Sequence, residues 1–161
     1  MAKLPTHPPA PTHVAANEGQ SHQIGPSKVT HKLDGAATGG RFAMIEYTVA
    51  PRFTAPTLWH WHTKEAWAGY VVAGKLSVAF PDRTIEVASG GVIAVPANCP
   101  FAWSNPSDEP AKLLFIYGPA GFEEYFRDVS SVIAKNPGVP TKDLGPELAP
   151  LWRQYGLESE G

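Results

Sequence analysis

His60-Trp61-His62-Thr63-Lys64-Glu65-Ala66-Trp67-Ala68-Gly69-Tyr70-Val71-Val72-Ala73-Gly74 is the stretch whose reading decides the fold. Side chains on an extended strand alternate between faces with a period of two, so His60 and His62 share a face and Trp61 takes the other. Two imidazoles aimed at one point make half of a transition-metal site, and imidazole suits Zn, Cu, Fe and Ni. The run after them is rich in β-branched and aromatic residues, which predicts a buried strand ending in a turn at Gly74-Lys75.

On both sides the chain is punctuated for short strands. Strand signals begin at Ser27-Lys28-Val29-Thr30-His31-Lys32-Leu33 and continue in Arg41 to Val49, with Asp34-Gly35 and Gly39-Gly40 marking a turn between them. Pro51 and Pro56 bracket a loop that leads into the histidine strand. Leu76, Val78 and Phe80, then Ile85 and Val87, then Val92 to Val95, then Lys112 to Tyr117 supply further strand patterns between Pro-, Gly- and Asp-containing corners. Turn signals recurring about every eight to twelve residues between short strands predict an all-β sandwich or barrel. Past Gly118-Pro119-Ala120-Gly121, Phe122, Tyr125, Phe126, Val129, Val132 and Ile133 recur at three and four, which predicts an amphipathic helix stopped by Asn136-Pro137-Gly138. A second short helix is expected over Glu147 to Tyr155. The division expected is a proline-rich, flexible amino-terminal arm over 1–26, a β-barrel over 27–119 and a helical tail over 120–161.

Composition narrows the function classes. The chain has 161 residues, room for one domain of ordinary size, and is 43% hydrophobic and 17% charged. Its formal net charge is -2 with no basic block, which argues against a nucleic-acid partner. Cys99 is the single cysteine, so no internal disulfide or cysteine-built zinc site is expected, and its apolar neighbours mark a buried, inert thiol. No apolar run approaches the roughly 18 residues of a membrane span, and the amino terminus lacks a signal-peptide core, so a soluble cytoplasmic protein is expected.

The His60–Gly74 stretch resembles the first motif of the cupin superfamily: His-x-His, a Glu a few residues on, then Gly. Gly91-Val92-Ile93-Ala94-Val95-Pro96-Ala97-Asn98-Cys99-Pro100-Phe101-Ala102-Trp103-Ser104-Asn105 echoes the second, and the segment from Lys28 to Phe126 resembles a bacterial single-domain, quercetinase-like cupin. The resemblance implies a single double-stranded β-helix (jelly-roll) barrel with a short α-helical carboxy-terminal tail, and a homodimer. It also implies a metal held by His, His, Glu and His. Here Trp67 stands in the place of that Glu and Phe101 in the place of the third His. Neither ring can donate a lone pair. Losing only a residue that orients a ligand typically costs about 10–100-fold in metal affinity, so losing two ligands costs more. The expected cofactor is therefore none, or a weakly held divalent transition metal (Fe, Mn, Ni, Cu or Zn) on His60, His62 and Glu65. A one-residue bulge would turn Glu65 inward for that purpose. Glu46 and His31 are the other donors within reach of such a rescue.

Three functions fit these residues. In the first, a barrel cavity with an incomplete metal site binds an apolar or aromatic small molecule. Trp67, Phe101, Trp103 and Glu46 would line it, and His60 and His62 would serve as general acid and base for cyclase or isomerase chemistry. In the second, the protein is a metal-dependent dioxygenase resembling quercetinase-like cupins. In the third, it is a structural or regulatory dimer with no ligand.

Overall fold

The computed structural model describes residues 10–55 and 59–159. The proline-rich residues 1–9 and Pro56, which closes the expected loop, lie outside the described residues. Eleven strands and three helices follow in chain order: β1 (Gln20–Ile24), β2 (Ser27–Leu33), α1 (Gly35–Thr38), β3 (Ala43–Val49), β4 (His60–His62), β5 (Ala66–Ala73), β6 (Lys75–Phe80), β7 (Arg83–Ala88), β8 (Val92–Val95), β9 (Ala102–Ser104), β10 (Ala111–Gly118), α2 (Glu123–Lys135), α3 (Gly145–Tyr155) and β11 (Leu157–Ser159).

Period-two patterning builds the first wall. In β3, Ala43, Ile45, Tyr47 and Val49 are buried while the residues between them are not, and β10 repeats this with Ala111, Leu113, Phe115 and Tyr117. These strands lie at the centre of an antiparallel six-stranded sheet of order β1-β2-β3-β10-β5-β8. The second wall is β7-β6-β9, continued by β4 and β11. The link is Phe101, just before β9, which exchanges both backbone hydrogen bonds with His60 at 3.0 and 2.9 Å. Between the walls lies an aromatic core in which Trp67 and Tyr47 of the first wall meet Phe101 and Trp103 of the second, at ring centroid distances of 5.0 and 5.4 Å. The architecture is the jelly-roll barrel expected from the motifs.

Helix α2 closes one end. Phe126 and Val129 enter the core, and Trp152 of α3 donates its indole N–H to Tyr125 Oη at 3.1 Å. Buried Glu123 fixes where α2 begins, because its carboxylate accepts the backbone N–H groups of Gly35 and Gly121. Among the described residues no helix is long and apolar enough to cross a membrane.

Two boundaries differ from the sequence reading. The strands begin at Gln20, not Ser27: β1 pairs with β2 across a turn at Gly25-Pro26, inside the stretch expected to be a flexible arm. Its sequence, Gln-Ser-His-Gln-Ile, buries only Ile24, so an apolar pattern could not reveal it. The carboxy-terminal tail is likewise not all helix. At Gly156 (φ 71°) the chain turns, and β11 runs antiparallel to β4 with Leu157 opposite His62 and Ser159 opposite His60. A Cβ at Gly156 would sit 2.5 Å from Thr63 Oγ1, so backbone freedom and close approach both require glycine there.

Candidate functional site

The site is assembled on β4, a strand of three residues whose two edges are both covered. Leu157 to Ser159 pair along one edge and Phe101 along the other. His60 and His62 each retain 4% exposure, and both face the space between the walls as alternation requires. Trp61 takes the opposite face and donates its indole N–H to Glu158 Oε2 at 3.0 Å. The Phe101 ring packs on His60 at 4.3 Å between centroids, and Phe122 meets His62 edge-on at 4.2 Å.

Past Thr63 and Lys64 the chain turns back, so Glu65 reaches the ring of His62. The Glu65 carboxylate engages Nδ1 of His62, and the two side chains are 4% and 5% exposed. Glu65 lines a neighbouring crevice with Lys64, Gly121 and Tyr155, while His62 lines the barrel cavity, so the contact bridges two spaces. Phe122 borders both.

The barrel cavity has a volume of about 60 Å³, walled chiefly by Trp67, Phe101, Trp103, Phe115, Tyr117 and Phe122 beside the two histidines. At about 10–15 Å³ of such volume per water, it holds roughly four to six waters, the space of one six-membered ring with few substituents. Buried Gly69 keeps part of that space open. A Cβ there would lie 2.9 Å from Phe115 Cε1 and 3.0 Å from Trp67 Cζ3, forcing one ring inward. Tyr47 and Tyr117 also line the cavity. Burial pushes both phenols far above the ordinary tyrosine range, so they stay protonated. The indole N–H of Trp67 is buried and has no hydrogen-bond partner among the described residues.

Of the residues singled out from sequence, His60, His62, Trp67, Phe101 and Trp103 meet at this cavity. Glu46 does not. Its neighbours Ile45 and Tyr47 point inward, so Glu46 takes the outer face of β3 and pairs with Lys112 at 3.2 Å. His31 does not reach in either; it lies edge-on to His22 at 5.0 Å. Glu65 is buried, but it holds an imidazole rather than joining the two histidines as a third donor. Among the described residues no three His, Cys, Asp or Glu side chains are grouped so as to hold a metal ion. With Trp67 and Phe101 packed 5.0 Å apart in the cavity wall, the residues present do not fit a four-ligand centre. Tyr117, Phe115, Phe122 and Leu157 line the cavity although the sequence reading did not assign them to it. Alternation along β10 carried the signal for the first two. Phe122 opens the apolar stripe read for the helix, but nothing local places it or Leu157 at the cavity, to which the tail delivers both.

Residues 45–117 match the family model for the cupin domain. No curated protein matches the chain. Many solved structures do. KdgF from Halomonas sp. superposes with a TM-score of 0.61 at 11% identity, covering 71% of this chain and 99% of that one. The polyketide cyclase RemF from Streptomyces resistomycificus gives 0.58 at 21% identity, covering 66% and 78%. Streptomyces PAC13 with uridine gives 0.55 at 13% identity, covering 71% and 87%. At these identities the likeness is one of fold.

Proposed function

We propose that the barrel, whose residues 45–117 match the cupin-domain family model, binds an apolar, planar small molecule and moves protons on it, with His62 as general base and acid. The observation that carries this reading is the Glu65 carboxylate on His62 Nδ1. A carboxylate accepts, so it favours the tautomer with the proton on Nδ1 and leaves the lone pair of Nε2 for the cavity. It also stabilises the imidazolium once a proton is taken. His60, its ring centroid 5.7 Å from that of His62, is the second group placed to exchange a proton. Cyclisation, isomerisation and dehydration all need such transfers. Barrels of this fold serve a polyketide cyclase and Pac13, a nucleoside dehydratase, which supports the reaction class and no particular substrate.

The test is nuclear magnetic resonance on protein carrying ¹⁵N-labelled histidine, followed by titration with single-ring aromatic compounds. The expected result is a His62 proton on Nδ1, and binding that shifts the His62 and Trp67 indole signals. A proton on Nε2, or no compound that moves those signals, would retire the reading and favour a barrel without a ligand.

We further propose that the chain pairs with a second copy through the outer face of its six-stranded sheet. Tyr70 and Val92 lie opposite each other on β5 and β8, with Leu114 beside Tyr70 on β10. Tyr70, Val72 and Val92 are 43%, 45% and 68% exposed. The Lys112–Glu46 pair on the same face offers opposite charges to a copy related by a two-fold axis. Light scattering on wild type and Val92→Lys is the check: a dimer that the variant dissociates supports the pairing, and a monomeric wild type ends it.

A further inference from the structure

We infer that Tyr47 and Tyr117 are the hydrogen-bond donors that receive a substrate carbonyl oxygen, which makes the substrate class a small, uncharged, single-ring ketone or enone with a C–H next to the carbonyl. The inference rests on the reading of His62 as the base.

Four observations converge on it. First, the hydroxyls of Tyr47 and Tyr117 belong to residues 2% and 4% exposed on the cavity wall, and neither is hydrogen-bonded among the described residues. A phenol on the wall of a void can donate to a carbonyl oxygen that enters it. Tyr125 shows the contrast, since its oxygen accepts from Trp152 at 3.1 Å. Second, the residues lining the cavity include no Lys, Arg, Asp or Glu, so the void offers neither a counter-charge for a charged substrate nor a carboxylate to compete as acceptor. Third, Tyr117 stands beside the base: its ring lies 6.0 Å from that of His62 at 29° between planes. Across the β5–β10 ladder it faces Trp67. Fourth, the volume admits one ring.

The chemistry balances with these groups alone. Nε2 of His62 takes the proton from the carbon next to the carbonyl, and the C–H electron pair becomes the carbon–carbon π bond. The carbonyl π pair moves onto oxygen, where the two phenols hold the charge by hydrogen bonding without giving up their protons. Return of the proton from His62 to carbon restores the ketone or delivers its isomer. Donors aimed at the oxygen where charge develops are typically worth about 10²–10³ in rate each.

The test uses acetophenone labelled with ¹³C at the carbonyl, added to the full chain in D₂O. Two signals are read: the carbonyl shift on binding, and deuterium entry into the methyl group. The variants Tyr117→Phe and Tyr47→Phe remove only the hydroxyls and keep the rings. The expected result is a downfield carbonyl shift that each variant reduces, with methyl exchange slowed about tenfold or more by each. His62→Gln should abolish exchange and leave the shift in place. Exchange and shift that ignore both phenylalanine variants would overturn the donor assignment while leaving His62 as base. A shift that responds to the variants without any exchange would keep the donors and remove the base. Acetophenone that does not bind would overturn the substrate class.

Discussion

Glu65 meets His62 at Nδ1 across a gap of three residues, and the pair is all but sealed from solvent on the border between the barrel cavity and the crevice beside it. Glu65→Gln keeps the shape and removes the charge. The amide can still accept from Nδ1–H but cannot stabilise an imidazolium. The variant should lose about 1–3 kcal/mol of stability. Proton exchange on a bound carbonyl compound should also slow, because the neutral amide no longer supports the charge His62 takes up. Denaturant unfolding and deuterium exchange of a bound ketone check the two effects; unchanged exchange would remove Glu65 from the proton-transfer machinery.

Gly69→Ala acts on the cavity without touching a polar group. The new methyl must displace Phe115 or Trp67, which lie 2.9 and 3.0 Å from its position. Overpacking of this kind costs about 1–3 kcal/mol. Ring compounds that bind the wild type should bind the variant at least tenfold more weakly, measured by calorimetry. Equal affinity would place the ligand elsewhere.

Leu157→Ala enlarges the cavity from the side of the tail. Leu157 is 5% exposed, sits opposite His62 and lines the void. Truncating a buried leucine costs about 2–5 kcal/mol. The variant should accept bulkier rings than the wild type does, which a matched series of ligands would reveal. No change in the size limit would show that β11 plays no part in ligand selection.

His22 and His31 set a pH dependence remote from the cavity. Burial lowers both below the usual histidine value of 6.5; Arg127 then adds to the lowering at His22, and His22 to that at His31. Glu123, Glu124 and Asp128 of α2 face the pair and oppose the shift. A histidine with a depressed folded value binds fewer protons folded than unfolded. Its contribution is therefore present above 6.5 and lost as the pH falls below it. Stability should drop between about pH 7 and about pH 5, and His22→Gln/His31→Gln should flatten that slope. Urea unfolding across the range is the measurement, and parallel slopes would assign the acid sensitivity to other groups.

The barrel was legible in the sequence because its determinants are local. Strict alternation in Ala43–Val49 and in Lys112–Tyr117 dictates which residues face the core, and the cupin motifs put His60, His62, Trp67 and Phe101 in one place. The same alternation should have kept Glu46 outside, since an outward residue must sit between inward Ile45 and Tyr47. Glu46 is drawn inward only by the expectation that a polar group lines the cavity or replaces a missing ligand. Strand β1 escaped because an edge strand can be held by backbone hydrogen bonds with one buried side chain.

The sequence alone determined the alternating faces, the turns, the loss of two lone-pair donors at Trp67 and Phe101, and the amphipathic stripe of α2. Only the tertiary structure decided that Glu65 turns back onto His62, that Phe122 and Leu157 close the cavity, and that Tyr47 and Tyr117 line it. The physical reason is range. Periodicity is written in neighbouring residues, whereas a cavity is made by walls that meet from distant parts of the chain. The pairing of Leu157 with His62 joins residues 95 positions apart in sequence (157 − 62) and leaves no local trace.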